Sequence, residues 1–185
     1  MKNRTIKEIF IDMDGVLTDF VGHACTYHGI ENPYESGEKQ SYNMAELVGM
    51  CEDDFWGPLG SLAFWRDMPK TDIADKIIQV SERRVGPENV YVLTSPSASG
   101  FSATGKMRWI DRHFQQLSRR IIITPQKHLL ATPTRVLIDD SDSKVDKWLL
   151  HGGHAELVDR PWNTAVNPEG PYNAEFKYQE SYIKP

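Results

Sequence analysis

At 185 residues, with 39% hydrophobic and 10% aromatic residues, the chain can bury a core as one domain, or as one domain with an insertion, so global disorder is not expected. A formal net charge of -5 argues against a partner that grips a nucleic-acid polymer, yet leaves room for small phosphates held by a local positive site. No apolar run approaches membrane-span length, the basic start Met1–Lys7 lacks a signal peptide's apolar stretch, and Cys25 and Cys51 make no disulfide framework, so a reduced, cytoplasmic protein away from the membrane is expected.

Ile6 to Ile11 is an apolar run that reads as a buried strand. It ends in Asp12 and Asp14, two carboxylates at strand spacing that point the same way, and Gly15 then permits a sharp turn. Buried acids are costly unless neutralised, and a hard divalent cation is the natural partner for oxygen ligands. From Phe20 to about Met68 the chain is broken by Gly, Pro, Asn and Ser, with short helical patterns at Val21–Cys25 and Met44–Met50 and the aromatic pairs Phe55-Trp56 and Phe64-Trp65. A small helical insertion is expected there.

Pro69-Lys70-Thr71-Asp72 is expected to break the chain and cap a helix bearing Ile73, Ile77 and Val80, stopped by Gly86-Pro87. Val90–Leu93 reads as the second strand and ends in Thr94-Ser95. Gly100 to Gly105 reads as a loop of small residues, and Lys106 to Leu117 as a helix with Met107, Ile110, Phe114 and Leu117 on one face. Ile121–Ile123 is the third strand, with Lys127 just beyond it. Val136–Ile138 is the fourth and ends in Asp139-Asp140; a helix with Val145 and Trp148, capped by Ser141 or Ser143, follows. Ala155–Val158 is the fifth.

Short apolar strands alternating with amphipathic helices predict an α/β fold: a Rossmann-like three-layer core with a parallel five-stranded sheet. The core is expected over 1–19 and 69–185, and the helical cap over 20–68, inserted after the first strand. Ligands of such sheets bind at the carboxyl ends of the strands, which is where Asp12, Asp14, Thr94, Ser95, Lys127, Asp139 and Asp140 would lie.

Carboxylates, a lysine and hydroxyls on one edge suit phosphoryl transfer with Mg2+. Asp12 can attack phosphorus, Lys127 can balance the acids and clamp phosphate, and the Thr94 or Ser95 hydroxyls can hold its oxygens. Asp14 can protonate the leaving alkoxide, and a protonated Asp14 would meet the metal through its backbone oxygen. The expected metal ligands are Asp12, Asp14, Asp139 and Asp140.

These signals resemble the motifs of the haloacid dehalogenase superfamily of phosphatases: Asp12–Leu17 the first, Leu93-Thr94-Ser95 the second, Lys127 the third and Leu137–Asp140 the fourth. Asp14–Phe20, Thr94–Pro96, Lys106 with Trp109, Leu137–Asp140, Trp148 and Pro161–Asn163 further resemble the 5'(3')-deoxyribonucleotidase branch. The resemblance runs from about Ile6 to Asn163 and is weakest between Val21 and Met68. It implies Mg2+-dependent hydrolysis of nucleoside monophosphates through an aspartyl-phosphate, with cap aromatics stacking on the base. Phe20 matches the pocket phenylalanine, Trp56 a cap tryptophan, and Tyr42, Asn43 and Met44 a base-contacting trio. The resemblance also brings a homodimer into view. Pro125 stands where family members often carry arginine. Two other functions compete: a phosphatase for another small phosphomonoester such as a sugar phosphate, and a non-catalytic nucleotide-binding homologue. The intact Asp12 and Asp14 weigh against the second.

Other motifs read as structural. Cys25-x-x-His28 lacks a second pair for zinc, and Asp12-x-Asp14-Gly15 lacks the spacing of a calcium loop. Asp142 is a surface acid near the expected metal, and Ser97–Gly100 a plain connection.

Overall fold

The computed structural model describes residues 5–38 and 41–165. Five parallel strands, β1 (Glu8–Ile11), β2 (Val90–Thr94), β3 (Ile121–Ile123), β4 (Arg135–Asp139) and β5 (His154–Leu157), form one sheet in the order β3-β2-β1-β4-β5. The chain moves outward from β1 to β2 and β3, then crosses back to β4 on the other side. The central strand therefore lies at the topological switch, where such sheets open a crevice beyond their carboxyl ends.

Alternation along the strands builds two apolar faces. Ile9, Ile11, Val90, Val92, Val136 and Ile138 belong to one buried cluster, and Phe10, Leu93, Leu137 and Trp148 to another. The first cluster takes Ile77 and Ile78 from α5 (Ala74–Val85) and Trp109 and Ile110 from α6 (Gly100–His113). Trp148 comes from α7 (Asp142–Leu150). Helices on both faces give the three layers expected.

Between β1 and α5 lie α1 (Phe20–His28), α2 (Met44–Leu47), α3 (Glu52–Trp56) and α4 (Leu62–Arg66), with a 3-10 turn at Pro58–Gly60. Their buried residues Phe55, Leu59, Phe64, Trp65 and Met68 share one cluster with the sheet, so this segment has no separate core. α4 packs on α6 at Gly105, where an added Cβ would lie 2.4 Å from the Trp65 Cβ. The expected core range runs to 185, but its portion beyond 165 lies outside the described residues.

Three local expectations need correction. The helix expected from Lys106 starts at Gly100, because Ser99 caps it by accepting from the Phe101 amide at 3.2 Å. It ends at His113, and Gln115–Leu117 is a separate 3-10 turn. Met107 is 47% exposed and not on the buried face, which Ser102, Gly105, Lys106, Trp109 and Ile110 form instead. The cap of α5 is Ile73, just past the stretch Pro69-Lys70-Thr71-Asp72, and no side chain closes that end.

Candidate active site

The carboxyl ends of β1, β2 and β4 converge on a knot of buried charge. Lys127, in the 3-10 turn Lys127–Leu130, is 2% exposed and sits 2.5 Å from Asp12 Oδ1 and 2.7 Å from Asp139 Oδ2. Burial alone would lower its pKa, but Asp12 and Asp139 outweigh that and hold it above the ordinary lysine range. Burial pushes Asp139 up to about 6, with Lys127 pulling down and Asp12 adding to the rise. Asp140 is raised by burial, then by the charges of Asp139 and Asp12.

One carboxylate oxygen each from Asp12, Asp139 and Asp140 lie within 4.8 Å of one another. This triad of hard oxygen donors, with more negative charge than Lys127 cancels, suits a hard divalent cation. The Asp14 carboxylate stands outside the triad. Asp142 is outside it too; its carboxylate accepts from the Thr164 amide at 3.2 Å.

Asp14 is held by Lys106, whose role the motif pattern did not disclose. Lys106 is 0% exposed and spends its three protons on Asp14 Oδ2 at 2.5 Å, Thr94 Oγ1 at 2.9 Å and the Ser95 carbonyl at 2.6 Å. Its ammonium also lies 4.9 Å from the centre of the Trp65 ring. Because Thr94 Oγ1 accepts from Lys106, the Thr94 hydroxyl proton is left to point elsewhere. Burial raises the Asp14 pKa; Lys106 opposes that rise and Asp12 reinforces it. Asp14 Oδ1 accepts from the Thr18 hydroxyl at 3.4 Å, a long contact. The spacing Ser102, Lys106, Trp109 and Ile110 on one buried helical face was the available signal for Lys106; a lysine at such a position must have a partner.

A recess of about 280 Å³ opens beside the acids. Phe20, Tyr42, Asn43, Met44 and Trp56 all line it, together with Asp14 and Asp140. A second recess of about 510 Å³ shares Asp14, Phe20, Tyr42 and Trp56 and continues over Trp65, Lys106 and the Ser95–Ser99 segment. Phe20 is the centre of an aromatic stack: its ring centroid is 5.7 Å from Trp56 and 5.8 Å from Trp65, both at 22°. Trp56 is 42% exposed, so one face is open. Its indole donates to Glu52 Oε2 at 2.8 Å. Asn43 caps α2 through Glu46 N, while Met44 is buried. The Ser97–Gly100 connection is more than a linker: Ser99 Oγ donates to the Gly60 carbonyl at 2.6 Å, joining the mouth of the recess to the helical insertion.

The other candidate ligands have structural partners. His28 Nε2 bonds the Phe55 carbonyl at 2.9 Å, and Cys25 is buried beside it in the helix. No helix among the described residues is long and apolar enough to cross a membrane.

Residues 4–177 match the family model described as 5' nucleotidase, deoxy (pyrimidine), cytosolic type C protein. No curated protein matches the sequence. Among solved structures, a haloacid dehalogenase-like family hydrolase from Xanthomonas campestris is similar with a TM-score of 0.56 at 14% identity, covering 91% of this chain and 89% of that one. The HAD-hydrolase YfnB from Bacillus subtilis, bound to magnesium, is similar with a TM-score of 0.54 at 13% identity, over 89% and 91% of the two chains. A HAD family hydrolase from Deinococcus radiodurans, with bound phosphate and sodium, has a TM-score of 0.50 at 13% identity, over 82% and 80%. At these identities the likeness is one of fold.

Proposed function

The chain belongs to the 5' nucleotidase, deoxy (pyrimidine), cytosolic type C family, and from that premise we propose that it hydrolyses (deoxy)nucleoside monophosphates through an aspartyl-phosphate on Asp12, with Mg2+ held by Asp12, Asp139, Asp140 and the backbone of Asp14. As a family member it is a phosphomonoesterase with a small nucleotide as substrate. The observation that carries the finer proposal is the separation of the two motif acids: Asp12 is tied to Lys127 and Asp14 to Lys106.

In the first step an Asp12 carboxylate oxygen attacks phosphorus and the bond from phosphorus to the nucleoside oxygen breaks. The leaving alkoxide takes its proton from Asp14, whose pKa burial raises against the pull of Lys106. Asp14 then removes a proton from water, which attacks the phosphorus of the aspartyl-phosphate and regenerates Asp12. Thr94 and Ser95 hold phosphoryl oxygens, with the Thr94 hydroxyl fixed in place by Lys106, which donates to its oxygen. Lys127 balances charge as it builds on the phosphoryl group. Mg2+, when bound, would supply Lewis acidity and charge neutralisation.

The insertion over 20–68 serves as the cap. Trp56, backed by Phe20, presents an aromatic face to the base, with Tyr42, Asn43 and Met44 at its edge, and together they exclude water. The family description supports cytosolic residence.

Phosphate release from a panel of deoxynucleotides, ribonucleotides and sugar phosphates tests this, with Mg2+ and with EDTA. Selective turnover of nucleoside monophosphates that EDTA abolishes is expected, and Trp56→Ala should blur discrimination among bases. Turnover of sugar phosphates alone would contradict the substrate assignment.

A further inference from the structure

We infer that Trp162 is a positioning residue for the acid triad: its indole N–H fixes the Asp140 carboxylate so that the other oxygen is left for the cation. The inference rests on the proposal that the three carboxylates hold Mg2+.

Asp140 follows Asp139 directly at the end of β4, and two adjacent ionised side chains repel each other. One bond holds the Asp140 carboxylate and two more fix the backbone around it. Trp162 Nε1 donates to Asp140 Oδ2 at 2.7 Å, Asn163 Nδ2 donates to the Asp140 carbonyl at 2.8 Å, and the same amide donates to the Val158 carbonyl at 2.7 Å. Only the Trp162 bond acts on the carboxylate itself. Its chemistry suits the task. A lysine or arginine there would hold the oxygen but add a positive charge that competes with the cation. The indole N–H is a neutral donor, so it orients Asp140 without discharging it.

The indole is itself held. Its ring meets Tyr34 edge-on, with centroids 5.1 Å apart, and the Tyr34 hydroxyl donates to the Ser41 carbonyl at 2.7 Å. On another side it packs against the turn after β1. A Cβ on Gly15 would lie 3.2 Å from Trp162 Cζ2 and 2.1 Å from Asp140 Oδ2, so only glycine allows this approach. Arg160 Nε donates to the Gly15 carbonyl at 2.7 Å, fastening the same turn. Trp162 thus joins the first-strand turn, the fourth-strand acids and the segment that leads to Tyr42 and Met44. It also lines the smaller recess.

A ring that merely fills space would affect stability and leave cation affinity alone. The test is calorimetric titration of the metal-free protein with Mg2+ alone, for wild type, for Trp162→Phe, and for protein with 3-benzothienylalanine at position 162. That analogue keeps the shape of tryptophan and replaces the N–H with sulfur, so it decides the matter if Trp162→Phe fails to fold. Loss of the N–H is expected to weaken Mg2+ binding about tenfold. The Mg2+ concentration for half-maximal turnover should rise by the same factor. Wild-type Mg2+ affinity in the isosteric variant overturns the role of Trp162 alone. A wild-type protein that gives no Mg2+ binding, with turnover indifferent to EDTA, overturns the metal premise and this inference with it.

Discussion

Lys106 shows how a single residue divides labour between two acids. Asp12 and Asp14 are two residues apart, but each has its own lysine, at 2.5 Å in both cases. The strand-end acids, the Thr94 hydroxyl and Lys127 were legible because their positions after apolar runs are a matter of spacing. Lys106 was not assigned a role, because it lies within a helix and its partners come from the turn after β1, 92 residues away, and from the end of β2, 12 residues away. The bond from Trp162 to Asp140 was hidden for the same reason, 22 residues separating the partners. Replacing Lys106 with Met, which keeps the stem and removes the charge, leaves Asp14 and Thr94 without their donor. Urea unfolding should show a loss of about 3 kcal/mol, and turnover should fall as well. Unchanged stability would mean that Asp14 and Thr94 find other partners at no cost.

At the level of elements, α6 is where expectation and structure differ most. Gly100 to Gly105 is bounded by two glycines and carries Ser102 and Thr104, all of poor helix propensity, so a loop was the natural expectation. Two tertiary facts override propensity: Ser99 caps the helix while bonding the Gly60 carbonyl, and Gly105 lets α4 approach closely. That approach brings the Trp65 ring over the Lys106 ammonium, so the packing of two helices also shapes the site. Gly105→Ala makes a sharp prediction because two effects oppose. Alanine should favour the helix by about 1 kcal/mol, while its Cβ collides with Trp65 and lies 3.1 Å from the Leu62 carbonyl, backbone that cannot swing aside. The collision should win, giving a net loss of about 1–3 kcal/mol in thermal or denaturant unfolding. A more stable Gly105→Ala would mean that α4 moves away freely.

Over the whole molecule, the parallel sheet gathers residues from Asp12 to Asp140 at one edge, and the switch at β1 puts Asp12 beside Asp139. This was the most legible feature, since alternating strands and helices determine which ends meet. The way the inserted helices cover that edge was less legible, because short helices in a Gly- and Pro-broken stretch carry little periodicity. Their aromatics serve two ends in one cluster: Phe55, Phe64 and Trp65 are buried, while Trp56 keeps an open face on the recess. In the proposed mechanism this arrangement passes a phosphoryl group from a nucleotide to Asp12 before water receives it. The direct test is to mix the enzyme with a nucleoside monophosphate labelled in its phosphate, quench with acid within a single turnover, and map the label by peptide mass spectrometry. Transient label is expected on the peptide containing Asp12, with neither label nor turnover in Asp12→Asn. Labelled free phosphate appearing at full rate from Asp12→Asn, with no labelled peptide in the wild type, would contradict it.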